Sequence, residues 1–291
     1  MSNRTKGILC IIASAFCFAL MNTFVRLSGD LPSIQKSFFR NLVAMFIALV
    51  VLMRSGGGFK MQKGCLPLHL LRSGIGTLGI LGNFYAIDHL MLSNASMLNK
   101  MSPFFVLVFS YFILKEKLNL VQVLIVATAF VGSLFIIKPV PSNLVLVPSL
   151  LGFGGGMCAG FAYTMVRAMG LKGERGPFIV FFFSAFSCAV TLPWLLFDYH
   201  PMTAQQLLTL LGAGLSAAGG QFTITTAYTF APGREISVYD YTQILFSTLI
   251  GYLVFQQVPD RWSFLGYALI IGAAIVMFLF NNGKLEKRTA L

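Results

Sequence analysis

Apolar runs of about 20 residues recur along the whole chain, separated by short polar breaks. An α-helix rises 1.5 Å per residue, so about 20 residues cross the roughly 30 Å of hydrocarbon in a bilayer. The runs predict helical spans over about 6–28, 33–53, 68–88, 93–114 and 118–138, then over about 149–170, 177–197, 205–228, 236–256 and 262–281. Breaks fall at Asp30 and Pro32, at Ser55 through Gly56, Gly57 and Gly58, at Pro139 and Pro141, and from Gly173 to Pro177. Proline removes a backbone donor and glycine frees φ at these points. No polar stretch is long enough for a soluble domain. The expected fold class is all-α integral membrane with ten transmembrane helices. The first run follows Arg4 and Lys6 as a signal peptide would, but it is long enough to span and is followed by many like it, so it reads as a retained first helix.

Comparing the two halves predicts more than a helix count. Thr23 recurs as Thr164 (164 − 23 = 141), and the same offset relates Arg26 to Arg167, Gly79 to Gly220, Ala86 to Ala227, Ser96 to Ser237 and Tyr111 to Tyr252. One ungapped offset holding through four consecutive helices indicates duplication. The predicted repeats are 1–140 and 141–291. With five helices in each, the second enters the membrane in the opposite sense, which makes the repeats inverted. That arrangement lets two related halves expose one central site to alternate sides.

Composition narrows the class. The chain is 57% hydrophobic with 29 Phe and only 10% charged residues, too much apolar surface for a water-soluble core. The net charge of +12 does not point to nucleic acid, because the bases lie in short loops. With a cytoplasmic N-terminus, Arg54, Lys60, Lys63, Arg72, Lys115, Lys117, Arg167, Lys172, Arg175, Arg234 and the tail residues Lys284, Lys287 and Arg288 all fall on the inner side. Only Lys138 and Arg261 stand out on the other side. Since Arg and Lys resist translocation, both termini are expected in the cytoplasm, in the cell (inner) membrane. Cys10, Cys17, Cys65, Cys158 and Cys188 show no metal-ligand or redox spacing and read as packing residues.

Specific residues carry a family likeness. Arg40 lies early in the second helix and Pro103 in the fourth, which Lys115-Glu116-Lys117 follows. Ser237-Val238-Tyr239-Asp240-Tyr241 opens the ninth, with Gly251-Tyr252 beyond it. Together with the five-plus-five pattern over the whole chain, these resemble the drug/metabolite transporter superfamily in its ten-helix EamA-like branch. The resemblance implies a transporter of amino acids, amines, nucleosides or related metabolites that works without ATP, driven by protons or a counter-substrate. Ile244 stands where Pro103 would repeat and Gln257 where Glu116 would, so strict symmetry of the halves is not expected.

Ionisable groups inside spans are the sharpest candidates, because an unpaired charge in hydrocarbon is costly. Lys100 and Asp240 lie at related places in the two halves, with Asn99 the offset partner of Asp240. They either flank one cavity and hold the carboxylate and amine of a zwitterion, or pair directly and pin the halves together, or Lys100 snorkels to the surface. Asp240 is also a candidate proton carrier. Uncharged candidates for the cavity wall are Asn22, Asn83, Tyr85, Tyr163, Gln221, Thr225, Tyr228, Tyr239 and Gln243. Lys36 and Arg40 share a helix face; they read as an anion-attracting gate or as anchors among lipid headgroups. Arg26 and Arg167 end the first helix of each half and read as paired gates or interfacial anchors. The second, fifth, seventh and tenth helices look uniformly apolar and are expected against lipid, with Phe181-Phe182-Phe183 as a lipid-facing stripe. The run Gly152-Phe153-Gly154-Gly155-Gly156 reads as a close helix contact, since no strand precedes it as a phosphate cradle would require.

Among function classes, an enzyme is disfavoured: there is no His-Glu-x-x-His, Gly-x-Ser-x-Gly or phosphate-binding Gly-x-x-x-x-Gly-Lys. His69, His89 and His200 suggest no metal, and nothing calls for a cofactor. The expectation is a secondary transporter of a small solute in the bilayer, an amino acid or related amphoteric or amine compound. A lipid scramblase or flippase, or a non-transporting membrane partner protein, is the alternative.

Overall fold

The computed structural model describes residues 3–55, 58–115, 119–137, 145–230 and 237–281. Gly56 and Gly57, Glu116 and Lys117, Lys138, Pro139 and Pro141, Arg234, and the basic tail lie outside the described residues. The first half contains α1 (Asn3–Leu27), α2 (Ser33–Arg54), α3 (Leu66–His89), α4 (Leu92–Asn99), α5 (Ser102–Ile113) and α6 (Leu120–Ile137). The second contains α7 (Leu146–Leu171), α8 (Gly176–Phe197), α9 (Ala204–Phe230), a 3₁₀ turn (Ser237–Tyr241), α10 (Thr242–Phe255) and α11 (Arg261–Asn281). Among the described residues all regular structure is helical, and α4 with α5 makes one crossing, as the 3₁₀ turn with α10 makes another. The ten predicted spans are therefore present, eight of them by length and apolarity alone.

The fourth span is expected as one helix, and this is corrected. It breaks at Lys100 and Met101, where α4 ends and α5 starts with Pro103 in its first turn. Proline has no N–H to give and crowds the preceding turn, so it favours a new helical start over continuation. The ninth span changes character at the offset position, where the 3₁₀ turn ends at Tyr241 and α10 begins. Two discontinuous spans thus occupy corresponding places in the two halves, although no proline marks the second.

Packing between the halves follows a two-fold pattern. α1 packs along α9 as α7 packs along α3. α2 lies against α8, and α6 against α11. α2 also meets α9 as α8 meets α3, and α10 meets α1 as α4 and α5 meet α7. One contact pair shows the correspondence at atomic level. Ser14 Oγ donates to Gly220 O at 3.0 Å, while a Cβ added to Gly155 would stand 3.0 Å from Gly79 O. The offset of 141 carries Ser14 to Gly155 and Gly79 to Gly220. Small residues at both crossings let backbones approach, which is how helices associate where lipid is as apolar as protein.

At the end of the bundle where α3 starts, Glu174 fastens two loops together. Its carboxylate accepts the Gln62 N–H at 3.0 Å and lies 3.3 Å from His69 Nε2. Arg175 donates to Gly58 O at 2.6 Å, and Lys172 to Gly64 O at 3.2 Å. At the other end Lys36 Nζ meets Asp88 at 2.6 Å, and Gln35 exchanges hydrogen bonds with the His200 backbone. Lys36 is buried in this pair and does not reach lipid headgroups, because a carboxylate one helix away offers a better partner than the interface.

Candidate functional site

Between the halves lies a narrow cavity of about 70 Å³, lined by residues of both. α1 contributes Phe18 and Asn22, α2 Arg40, and α3 Arg72, Gly76 and Asn83. Asn99 and Lys100 enter from the break between α4 and α5, Tyr163 from α7, Phe183 from α8, Gln221 from α9 and Gln243 from α10. Seven of the expected binding residues, Asn22, Asn83, Asn99, Lys100, Tyr163, Gln221 and Gln243, therefore share one wall.

The two broken spans deliver the central ion pair. Lys100 caps the end of α4 and Asp240 sits in the 3₁₀ turn. They meet at 2.7 Å and are 2% and 1% exposed. Of the three readings of Lys100, snorkelling is corrected: its ammonium stays inside, with the Phe18 ring 6.0 Å away. The direct pair is what the structure contains, and one carboxylate oxygen, Asp240 Oδ1, has no hydrogen-bond partner. Beside it, Asn22 donates to Ser96 Oγ at 3.4 Å, and Ser96 to Ser247 Oγ at 2.8 Å, tying α1, α4 and α10 around the break.

Other candidates lie elsewhere. Tyr228 stacks behind Tyr163 with ring centroids 5.9 Å apart, and Tyr239 packs edge-on to Phe278 at 5.8 Å. Thr225 is buried beside Gly176, where an added Cβ would meet its methyl at 3.2 Å. Tyr85 stacks on His89 at 4.2 Å and lines a second pocket with Arg26 and Asp88. Arg26 donates to the carbonyls of Ile87 at 3.2 Å and Leu90 at 2.5 Å. It thereby caps the C-terminal end of α3, where unpaired carbonyls attract a cation. Arg167 lies in the last turns of α7, outside the wall of the central cavity.

The largest corrections concern two arginines. Arg40, read as an anion-attracting gate or as an anchor among headgroups, is 1% exposed and lines the cavity, which corrects the anchor reading; Arg72, assigned to a loop, is 3% exposed inside α3. Arg72 Nη2 donates to Gln221 Oε1 at 3.1 Å, and its guanidinium lies 3.5 Å from the centroid of Phe183. Arg40 donates to Asn41, whose amide in turn donates to Ser187 Oγ at 2.9 Å. Phe183 is accordingly buried and not part of a lipid-facing stripe. The second span turns Lys36, Arg40 and Asn41 inward and lends Arg40 to the cavity, while Phe46, Val50 and Met53 stay exposed on it, so it faces lipid on one side only. An available signal was the depth of Arg72, which falls beyond the first turn of a 24-residue helix.

Several buried polar atoms around the cavity have no protein partner: Asn22 Oδ1, Asn83 Oδ1 and Gln243 Oε1 as acceptors, and Arg40 Nε with Arg72 Nε and Nη1 as donors. Unsatisfied buried polar atoms are rare in native proteins. Their convergence on one cavity gives it both kinds of hydrogen-bonding group, with cationic donors.

Comparison with known proteins agrees with this architecture. Residues 5–138 and again 147–279 match the EamA-like transporter family. The chain is similar to a pseudopaline exporter of Pseudomonas aeruginosa, at 30% identity over 96% of this chain and 98% of that one. It is also similar to a riboflavin transporter of Brucella anthropi, at 25% identity over 96% of this chain and all of that one. Human solute carrier family 35 member G1 is 24% identical over 93% of this chain and 78% of its own. A crystal structure superposes with a TM-score of 0.73 at 15% identity, covering 96% of this chain and 99% of that one, which is a likeness of fold.

Proposed function

The chain belongs to the EamA-like transporter family and is a multi-pass transporter of small solutes, and from that premise we propose that it moves an amphoteric metabolite by alternating access. The observation that supports this reading is the cavity between the halves, whose lining holds both partnerless acceptors and partnerless cationic donors. A solute with both acidic and amine or hydroxyl groups satisfies both sets. The residues taken to meet it are Asn22, Asn83, Asn99, Lys100, Tyr163, Gln221 and Gln243, with Asp240 behind Lys100. Exchange of the Lys100–Asp240 pair for contacts to substrate supplies the differential interaction that a population shift needs. The repeats 1–140 and 141–291 are the bodies that rock, and protons or a counter-substrate drive the cycle. Relatives are named as a pseudopaline exporter and as a riboflavin transporter, in keeping with a small-metabolite cargo.

The test is counterflow in proteoliposomes. Vesicles loaded with unlabelled amino acids, amines or carboxylates should take up the same labelled solute without ATP. Asn83→Leu and Gln243→Leu should each slow that uptake at least about tenfold, the scale of a lost polar contact in a desolvated site. Solute-independent scrambling of labelled phospholipid, unchanged in both variants, would put a lipid scramblase in place of the transporter.

Membrane and orientation are part of the proposal. The basic loops favour an inner-membrane protein with both termini in the cytoplasm. A fluorescent protein fused after Leu291 should be bright and alkaline phosphatase at the same point inactive; the opposite pair of results reverses the topology.

A further inference from the structure

Lys100 has its counter-charge in Asp240, but the other two cations of the cavity do not. Among the described residues no carboxylate lies within 4 Å of Arg40 or Arg72. Groups that act electrostatically with Arg72 include Tyr163, the like-charged Arg40 and His69. We propose that Arg40 and Arg72 form a subsite for a dianionic group, so that the transported solute carries two carboxylates or one phosphate.

The chemistry follows from the donors. Gln221 and the Phe183 ring hold the Arg72 guanidinium in place, and its Nε–H and Nη1–H are left without acceptors. The free Nε–H and Nη1–H lie on different sides of the guanidinium, so each meets its own oxygen or pairs with the second N–H of Nη2 against one carboxylate or phosphate, a planar match that an ammonium does not offer. Arg40 has a free Nε–H in the same cavity. Gly76 makes room: an added Cβ would stand 3.4 Å from Arg72 Nη1 and 3.2 Å from the Phe183 ring. Two neighbouring buried cations without an anion are unfavourable in a membrane interior, and a dianion removes both charges together. This inference rests on the transporter reading above.

Because a structural arginine and a binding arginine differ in their empty-state energetics, the decisive variant is Arg72→Met in full-length protein purified in detergent. With no solute present its melting temperature should equal or exceed that of wild type, since an uncompensated charge has gone. Succinate, citrate, inorganic phosphate and glycerol phosphate are then added to both, with alanine and putrescine as comparisons. Dianions should raise wild-type melting by a few degrees through mass action, and Arg72→Met should need at least about tenfold more to respond. Carboxylates acting alone make the solute a dicarboxylate, and phosphates acting alone make it a phosphate ester. The inference is overturned if Arg72→Met melts several degrees lower and no dianion shifts wild type, for then Arg72 is a structural tie. Counterflow separates the two levels. Uptake of alanine or putrescine with no dianion moved retires the subsite and keeps the transporter; phospholipid scrambling with no solute moved retires the transporter, and the melting data alone then judge the subsite.

Discussion

Replacing Asp240 by alanine, with Lys100 retained, is expected to remove about 3–5 kcal/mol of fold stability and to abolish transport. Lys100 is 2% exposed, with the Phe18 ring 6.0 Å from its ammonium, and the variant has no carboxylate at position 240 to keep the 2.7 Å contact. Removing both charges should be far milder. The double substitution Lys100→Met with Asp240→Leu should recover most of the lost stability, because the desolvation of two ions disappears with their attraction. Transport should stay absent in the double variant, since the pair is where the two broken spans meet. Unfolding in mixed micelles, arranged as a double-mutant cycle, reads the coupling. If the two single losses add in the double variant, the pair contributes nothing as a pair.

Gly156→Ala is expected to destabilise by about 1–3 kcal/mol, the range for overpacking a tight contact, whereas Gly154→Ala should be neutral or slightly stabilising. Both glycines lie in one apolar run of α7 and sequence does not distinguish them. In the structure a Cβ at Gly156 would stand 2.5 Å from Leu98 O and 2.9 Å from Asn99 O, while one at Gly154 would meet nothing within 4 Å. Backbone oxygens cannot swing aside as a side-chain tip can, so α7 would have to retreat from the end of α4. Lys100 follows Asn99 immediately, so transport should fall along with stability in Gly156→Ala. Alanine is also the better helix former by about 1 kcal/mol, which is why the control is predicted to gain if it moves at all. Equal melting of the two variants would refute the close approach.

Much of the fold was legible because bilayer thickness imposes one length on every span. Ten apolar runs could be counted, and the offset of 141 related the halves before any contact was known. The candidates Asn22, Asn83, Lys100, Tyr163, Gln221 and Gln243 stood out because polar groups are conspicuous in an apolar run, and they converge on one cavity. The break at Lys100 was half-visible in Pro103, and its counterpart at Tyr241 had no proline to reveal it. Arg40 and Arg72 were misplaced for a shared reason. Position near a helix end says how deep a residue sits, yet both interfacial anchors and buried cavity residues occur there.

What the amino-acid sequence determined by itself is the solvent, the span count and the duplication, because each follows from length, apolarity and repetition along one dimension. What only tertiary structure decided is facing. In water an amphipathic stripe tells which side of a helix is buried, but in a membrane both lipid and protein interior are apolar, and that signal fades. Whether Arg40 looks to headgroups or into the cavity, whether Phe183 meets lipid or a guanidinium, and whether Lys100 waits for substrate or holds Asp240 depend on rotations set by neighbouring helices. Those rotations are fixed by close contacts such as Gly155 on Gly79 and Gly156 on Leu98, which join residues far apart in the chain.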